Sequence, residues 1–152
     1  MNRKKTAKEA IINGSKIKIA VIVSKFNSDI TGGMLKGAID VLKKNKVKEV
    51  NIKVIWVPGS LEIPLMCQRL AASNKYDGLI ALGCVIKGGT DHYYYVAGEA
   101  SRGVMEVMLK FSIPIGFGII TVNNLKQAKE RSGAKNNKGA DAAQAMLEMI
   151  LL

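Results

Sequence analysis

The segment KGGTDH, residues 87–92, contains the only histidine of the chain, directly after two adjacent glycines. Paired glycines let a backbone come close to a ligand. A helix that begins just after Thr90 would direct free N–H groups outward, which favours a pocket for an anion such as phosphate. An imidazole exchanges protons near neutral pH, so His92 is a candidate general acid or base beside that pocket. A lone histidine can equally be structural, and the residues alone leave both interpretations open.

Two further segments could contact a planar polar ligand. Phe26 could stack on a heterocycle, or its ring could simply cover the edge of a sheet. In PGSLEIP, Ser60 is a good helix N-cap, Pro64 suits a first helical turn, and Glu62 suits a helix N-terminus. The segment is therefore predicted to start a helix, and its carboxylate could also bind sugar-like hydroxyls.

The elements that would position these residues follow from four short apolar runs rich in Val and Ile. The runs are KIKIAVIV (16–23), VNIKVIWV (50–57), GLIALGCVI (78–86) and IPIGFGIIT (113–121). Most lack strict alternation, which predicts buried parallel strands. Segments with helical spacing separate them, and ADAAQAMLEMIL predicts a last helix over 140–151. The alternation predicts an α/β domain whose parallel sheet is covered on both faces.

The candidate residues follow the predicted strands directly. In open parallel sheets, ligands bind beyond the carboxyl ends of the strands. Phe26 comes after the first run, Ser60 and Glu62 after the second, and His92 after the third. The sequence therefore predicts one cleft for a planar polar ligand and a phosphate.

Length and composition limit the class of protein. At 152 residues and 48% hydrophobic content, the chain suits one domain with a substantial core. No apolar run approaches the roughly 18 residues of a membrane span, and no signal-peptide pattern is present, which predicts a soluble cytoplasmic protein. Cys67 and Cys84 lie in apolar segments without paired spacing, which predicts buried, reduced thiols and no structural metal.

The formal net charge of +11 raises the question of an anionic partner, because lysine and arginine bind phosphate backbones. The basic residues are spread over 3–8, 43–48 and 126–138, without a nucleic-acid-binding signature, so a solvated surface is the favoured interpretation. Arg131 and Lys135 lie at and beyond the end of a predicted helix. They could complement the helix dipole or bind an anion.

Five segments, in order between Ile17 and Met149, resemble the 6,7-dimethyl-8-ribityllumazine synthase family. They are SKFN, VPGSLEIPL, YDGLIALGCVIKGGTDHYYYV, PIGFGIIT and ERSGAKNNKGADAA. The resemblance implies a flavodoxin-like, three-layer α/β sandwich with a four-stranded parallel sheet. It also implies a transferase of riboflavin biosynthesis that condenses 5-amino-6-(D-ribitylamino)uracil with 3,4-dihydroxy-2-butanone 4-phosphate, without cofactor or metal.

The resemblance further implies one domain over residues 1–152, with 1–15 as a flexible or subunit-swapping arm. It implies a homo-oligomer, either a pentamer or an icosahedral shell of sixty subunits, with sites at subunit interfaces. Riboflavin synthase is a candidate partner, whereas nucleic acid and membrane are not expected partners.

The family's functional residues carry over position by position, and His92 resembles its proton-transfer residue. Phe117 is expected to reach the site of a neighbouring subunit. The residues implied for the uracil and ribityl chain are Phe26, Ser60, Leu61, Glu62, Cys84, Val85, Ile86 and Phe117. Those implied for the phosphate are Gly89, Thr90, Arg131 and Lys135.

Two alternatives remain from other classes of protein. A non-catalytic flavin- or lumazine-binding flavodoxin-like protein would share the strand pattern, but the chain lacks the acidic surface and the hydroxyl-rich loop after strand one that such carriers favour. A basic nucleic-acid-binding module would explain the charge and leave PGSLEIP and KGGTDH unexplained.

Overall fold

A computed structural model of the chain describes residues 10–152, and residues 1–9 of the expected N-terminal arm lie outside that range. Four parallel strands form one sheet in the order β2-β1-β3-β4, with β1 at Ile19–Ser24, β2 at Ile52–Val57, β3 at Gly78–Ile86 and β4 at Ile115–Val122. This is the order of the first four strands of a flavodoxin-like sheet. It confirms the parallel arrangement expected from the sequence.

Five α-helices of residues 10–152 flank the sheet. They are α1 (Ser28–Lys44), α2 (Ile63–Ala72), α3 (His92–Phe111), α4 (Leu125–Glu130) and α5 (Lys138–Leu151), with short 3-10 turns at Glu49–Asn51 and Ser60–Glu62. Helices α1 and α5 cover one face, and α2 and α3 cover the other. The predicted three-layer α/β architecture is therefore confirmed. None of these helices, within residues 10–152, is long and apolar enough to cross a membrane.

The central strands divide the core into two halves. Along β1, Val21 and Val23 contribute to the core under α1 and α5, whereas Ala20 and Ile22 contribute to the core under α2 and α3. Every residue of β1 is buried, as continuous apolarity predicts for a strand covered on both faces.

The prediction that the run 50–57 is a buried strand is wrong. Strand β2 lies at one edge of the sheet, and Lys53, Val54 and Trp56 are exposed. Strand β1 pairs with β2 on one side, and no other strand within residues 10–152 pairs with the outer side of β2. An apolar run does not by itself specify whether its strand is central or at an edge.

The turn between α4 and α5 is held tightly against α1. The Asn137 side chain caps α5 by accepting a hydrogen bond from the Ala140 N–H at 3.0 Å, and its Nδ2 donates to the Gly33 carbonyl at 2.9 Å. A methyl group at Gly139 would overlap the carbonyl oxygen of Met34. The close approach of α1 and α5 therefore depends on glycine at position 139.

The described part of the expected N-terminal arm is anchored to the end of α1. The Ile12 N–H donates to Asn45 Oδ1 at 2.8 Å, and the Gly14 N–H donates to the Asn45 carbonyl at 2.7 Å. Asn45 is buried and also donates from Nδ2 to the Val41 carbonyl at 2.9 Å. Both ends of its side chain are thus satisfied.

Candidate functional site

The loop after β1 carries an exposed aromatic ring. Phe26 is 71% exposed, and its backbone is held by hydrogen bonds from the Lys25 N–H to Val57 O at 2.7 Å and from the Phe26 N–H to Pro58 O at 3.1 Å. The loop is therefore tied to the segment that follows β2. This exposure suits a ring that stacks on a planar ligand.

Asn27 ties the same loop to the end of β3, a contact that the sequence does not predict. Its backbone is left-handed, with φ 57°, and its Nδ2 donates to the Cys84 carbonyl at 3.1 Å. Asparagine is one of the few residues that adopt this conformation readily. The residue type was the available signal, because an asparagine directly before a predicted helix suggests such a turn.

Ser60 does not act as the helix N-cap expected from PGSLEIP. It lies in the 3-10 turn before α2, which begins at Ile63 with Pro64 in its first turn. The N-cap residue is Glu62, whose side chain makes no capping hydrogen bond. Ser60 is instead buried over Gly83, where an added Cβ would lie 2.5 Å from Ser60 Oγ. The Ser60 hydroxyl therefore lies against Gly83, in the floor of the site. Leu61, the next residue, is exposed.

A second hydroxyl lies under the same part of the site. Ser24 is fully buried, and its Oγ has no hydrogen-bond partner within residues 10–152. Val23 pairs with Leu82, so Ser24 lies beside Gly83, on the face that Ser60 covers. A buried hydroxyl without a partner is costly, so Ser24 Oγ offers a hydrogen-bonding group in the floor of the site.

The end of β3 supplies an apolar wall. Cys84 is buried, and Val85 and Ile86 are half-buried. Burial, with a smaller contribution from the negative charge of Asp29, raises the pKa of the Cys84 thiol to about 11, and burial raises the pKa of Cys67 to about 12. Both thiols are free and stay protonated at neutral pH, which confirms the predicted buried thiols and disfavours Cys84 as a nucleophile.

The KGGTDH loop leads directly into α3. The helix begins at His92, as expected, and the His92 N–H donates weakly to Thr90 Oγ1 at 3.4 Å. Methyl groups at Gly88 or Gly89 would meet nothing within 4 Å, so the space beside this loop is open. His92 is exposed beside the helix N-terminus, where backbone N–H groups attract anions.

A contact across the loop connects its two ends. Lys87 Nζ lies 5.4 Å from the centroid of the Tyr94 ring, and the Lys87 N–H donates to Val122 O at 2.9 Å. Interaction with the Tyr94 side chain raises the pKa of Lys87, which keeps the ammonium group charged. The open glycine turn is therefore bordered by a cation and a ring.

Three of the expected site residues do not join this group within one chain. Phe117 is 47% exposed and pairs with Ala81, which precedes Cys84 by three residues, or about 10 Å along the strand. Arg131 ends α4, where its Nη1 donates to Gln127 O at 2.9 Å. Lys135 is exposed in the following turn. No hydrogen bond or ion pair in residues 10–152 links Arg131 or Lys135 to the glycine loop.

The side chains of residues 10–152 offer no metal centre, since no three His, Cys, Asp or Glu residues come together in that range. The arrangement instead combines an exposed ring, a partly polar floor, and a helix N-terminus beside an imidazole. Such a set can orient a planar molecule next to a phosphorylated one and can move protons between them.

The fold and this group of residues define a flavodoxin-like α/β protein with its candidate site at the carboxyl edge of a parallel sheet. The sequence model of the family described as 6,7-dimethyl-8-ribityllumazine synthase matches residues 16–152. The chain belongs to that family, whose members are transferases of riboflavin biosynthesis.

Two relatives bearing the name 6,7-dimethyl-8-ribityllumazine synthase cover most of the chain. The protein of Desulfovibrio desulfuricans is 49% identical over 135 residues, which are 88% of this chain and 86% of the relative. That of Blochmanniella pennsylvanica is 53% identical over 138 residues, 90% of this chain and 87% of the relative. The family expected from the five sequence segments is thus confirmed.

Among solved structures, a de novo designed Rossmann fold protein matches with a TM-score of 0.41 and 17% identity. The match covers 74% of this chain and 91% of the designed one. A similarity of this size supports no argument about fold or function, and the architecture rests on the strand order given above.

Proposed function

We propose that the protein condenses 5-amino-6-(D-ribitylamino)uracil with 3,4-dihydroxy-2-butanone 4-phosphate to form 6,7-dimethyl-8-ribityllumazine, phosphate and water. The observation that carries the proposal is the convergence of an exposed ring, Phe26, and the open glycine loop before His92 at one edge of the sheet. The ring suits the planar uracil, and the loop suits the substrate that carries the phosphate. Membership of the family supports the same assignment.

In this proposal the uracil stacks on Phe26, whose loop is fixed by Asn27. The 60–62 turn and the end of β3 at 84–86 border the ribityl chain and the pyrimidine. Glu62 is exposed and free to accept hydrogen bonds from ribityl hydroxyls. Cys84 contributes its backbone and an uncharged thiol, in agreement with its raised pKa.

The phosphate of the second substrate binds at Gly89 and Thr90, against the N-terminus of α3. Arg131 and Lys135 supply the positive charge. The guanidinium can bind two phosphate oxygens at once, which an ammonium group cannot do in the same planar geometry. Since no hydrogen bond or ion pair within residues 10–152 links Arg131 to Gly89, these cations are proposed to act where subunits meet.

The chemistry requires proton transfers more than strong electrophiles. The uracil's 5-amino group attacks the ketone, and loss of water gives an imine. A proton leaves the carbon skeleton as phosphate departs, and the ribityl-bearing nitrogen then closes the second ring with loss of another water. His92, beside the phosphate pocket, exchanges these protons with the substrates. Holding both reactants in one orientation supplies much of the remaining acceleration.

The decisive experiment mixes the purified protein with both substrates and follows lumazine absorbance and phosphate release together. The expected result is both signals in equal amounts and above the spontaneous rate. Absence of an enzyme-dependent signal contradicts the proposal. A tightly bound flavin in the purified protein together with inactivity would favour the non-catalytic alternative.

Phe117 motivates a prediction about assembly. This half-exposed ring lies on β4, at the edge of the sheet and away from its own chain's glycine loop. If it completes a neighbour's site, light scattering at assay concentration will report a pentamer or a larger assembly. A fully active monomer would contradict the shared site.

A pair of substitutions separates the two substrate subsites. Arg131→Ala is expected to weaken binding of the phosphate substrate by about 1.5–3 kcal/mol, the usual cost of losing a charged hydrogen bond, and Arg131→Lys by less. The Michaelis constant for the uracil should change little. Phe26→Ala should show the opposite pattern, because it removes only the stacking surface.

Both Michaelis constants are measured for each variant, with Lys126→Ala as the control for loss of one charge on α4. If Arg131→Ala affects both substrates equally, or neither, Arg131 belongs to the solvated surface and has no role in the phosphate subsite.

A further inference from the structure

The edge of the sheet opposite the candidate site carries a concentration of lysines. It is formed by the segment leading into β1 and by the loops that run from helix to strand, at 13–18, 43–53, 73–77 and 110–114. These segments hold nine lysines and only two carboxylates, those of Glu49 and Asp77. The lysines, called the basic edge here, are Lys16, Lys18, Lys43, Lys44, Lys46, Lys48, Lys53, Lys75 and Lys110.

Direct contacts bring these segments together although they are far apart in the sequence. The Asp77 N–H donates to Lys18 O at 2.8 Å, and the Leu79 N–H donates to Pro114 O at 2.9 Å. Lys53 pairs with Ala20 in the parallel register of β1 and β2. The spacing of the lysines along the chain suggested that their charges are dispersed. The order of the strands brings these lysines to one surface.

Within the described part of the chain, no ion pair neutralises the lysines of the basic edge. The four ion pairs within residues 10–152 involve Arg102, Arg131 and Lys138, and none of the nine lysines. The Asp77 carboxylate accepts the Lys18 backbone N–H at 2.8 Å. Glu148, near the end of α5, reaches the same side and accepts from Gln144 Nε2 at 3.3 Å. A surplus of positive charge therefore faces solvent there.

The turn after α1 fixes the position of Lys46 within the basic edge. Lys46 follows the C-cap of α1 with φ 64°, and the chain turns through hydrogen bonds from Lys46 N to Lys43 O at 2.9 Å and from Val47 N to Leu42 O at 3.0 Å. Glycine or asparagine normally occupies this left-handed position. The turn keeps Lys46 close to Lys43, and both side chains are exposed.

We propose that the basic edge binds the phosphate backbone of single-stranded RNA, without sequence preference, as a second site opposite the candidate active site. Lysines are compact charges suited to phosphates, and the aromatic residues of these segments, Tyr76 and Phe111, are partly buried and poorly placed for stacking on bases. From β2 to β4 the edge spans about 14 Å, which is enough for several phosphates of a flexible strand.

Other occupants fit the basic edge less well. A second copy of the chain would bring like charges together, which repel. A membrane surface is normally bound through an amphipathic helix with an inserted apolar face, whereas the lysines here lie mostly on short loops. The proposal replaces the sequence-based expectation that nucleic acid is not a partner.

The test measures fluorescence anisotropy of a labelled, unstructured 20-nucleotide RNA with the intact protein. If about four lysines contact phosphates, the dissociation constant should rise about fiftyfold between 50 and 200 mM salt. No binding at 50 mM salt would overturn the proposal, as would binding that salt leaves unchanged.

Two triple variants with the same net charge locate the site. The first is Lys43→Gln, Lys46→Asn and Lys48→Gln, in which asparagine tolerates the left-handed backbone. The matched control is Lys36→Gln, Lys126→Gln and Lys129→Gln, on α1 and α4 outside the basic edge. At 50 mM salt the first should raise the dissociation constant at least tenfold, and the control less than threefold.

Circular dichroism verifies that both variants are folded, and vesicles containing anionic lipid are assayed in parallel. Equal losses of RNA affinity in the two variants would show that binding depends only on the net charge of the protein, and would overturn the proposed site. Tighter, edge-dependent binding to the vesicles than to RNA would overturn the assignment of the partner.

Discussion

His92→Ala is expected to slow condensation at saturating substrates by roughly 100- to 10,000-fold, the usual contribution of a general acid or base. Activity should remain measurable, because the substrates are still oriented and imines form spontaneously. The imidazole lies at the first residue of α3 and is exposed, so its removal leaves no cavity in the core. The substitution should therefore change the rate and leave folding intact.

The measurement is kcat for lumazine formation, compared with Asp91→Asn as a control that alters the adjacent residue of the same loop. Free imidazole added to His92→Ala should restore part of the lost rate, which a merely structural role for His92 would not produce. A variant as fast as the parent would show that another group transfers the protons.

The second large effect concerns stability, and Gly139→Ala is expected to lower the free energy of unfolding by about 3 kcal/mol or more. Its new methyl group would collide with the backbone carbonyl of Met34, and a backbone atom cannot rotate aside as a side chain can. The collision should separate α5 from α1 and loosen the turn that carries Lys135.

Gly32→Ala is the matched control, because position 32 also lies in a helix but has nothing within 4 Å of the added methyl. It should be neutral or stabilise the protein by up to about 1 kcal/mol, since alanine is the better helix former. Urea unfolding of both variants is measured at one fixed protein concentration, because any self-association would make the measured stability depend on concentration. Similar shifts in both variants would contradict the proposed steric cause.

The sequence predicted the elements of the fold better than their environment. The apolar runs identified all four strands, because the apolarity of a run is a local property. The predicted starts differ from the observed ones by at most three residues, and the ends by at most one. The run at 50–57 gave no indication that β2 would be an edge strand, since that depends on which strands become neighbours. For the same reason, lysines that look dispersed along the chain meet at one edge.

The candidate site was predictable in part. The convergence of Phe26 with the loop before His92 follows from the rule that ligands bind at the carboxyl ends of parallel strands. The position of Ser60 could not be predicted from the sequence. Ser60 covers Gly83 and does not cap α2, and this depends on a glycine in another strand. Within one chain, neither Phe117 nor Arg131 is linked to the glycine loop by a hydrogen bond or ion pair of residues 10–152, so the roles proposed for them depend on the proposed assembly.

The hydrogen bond from Asn27 to Cys84 has a consequence for the thermodynamics of binding. A surface loop usually loses conformational freedom when a ligand immobilises it, and that loss reduces affinity. Here the backbone that carries the Phe26 ring is already fixed from both sides, by Pro58 and by Cys84. The entropy lost on stacking should therefore come mainly from the heterocycle and from rotation of one aromatic side chain.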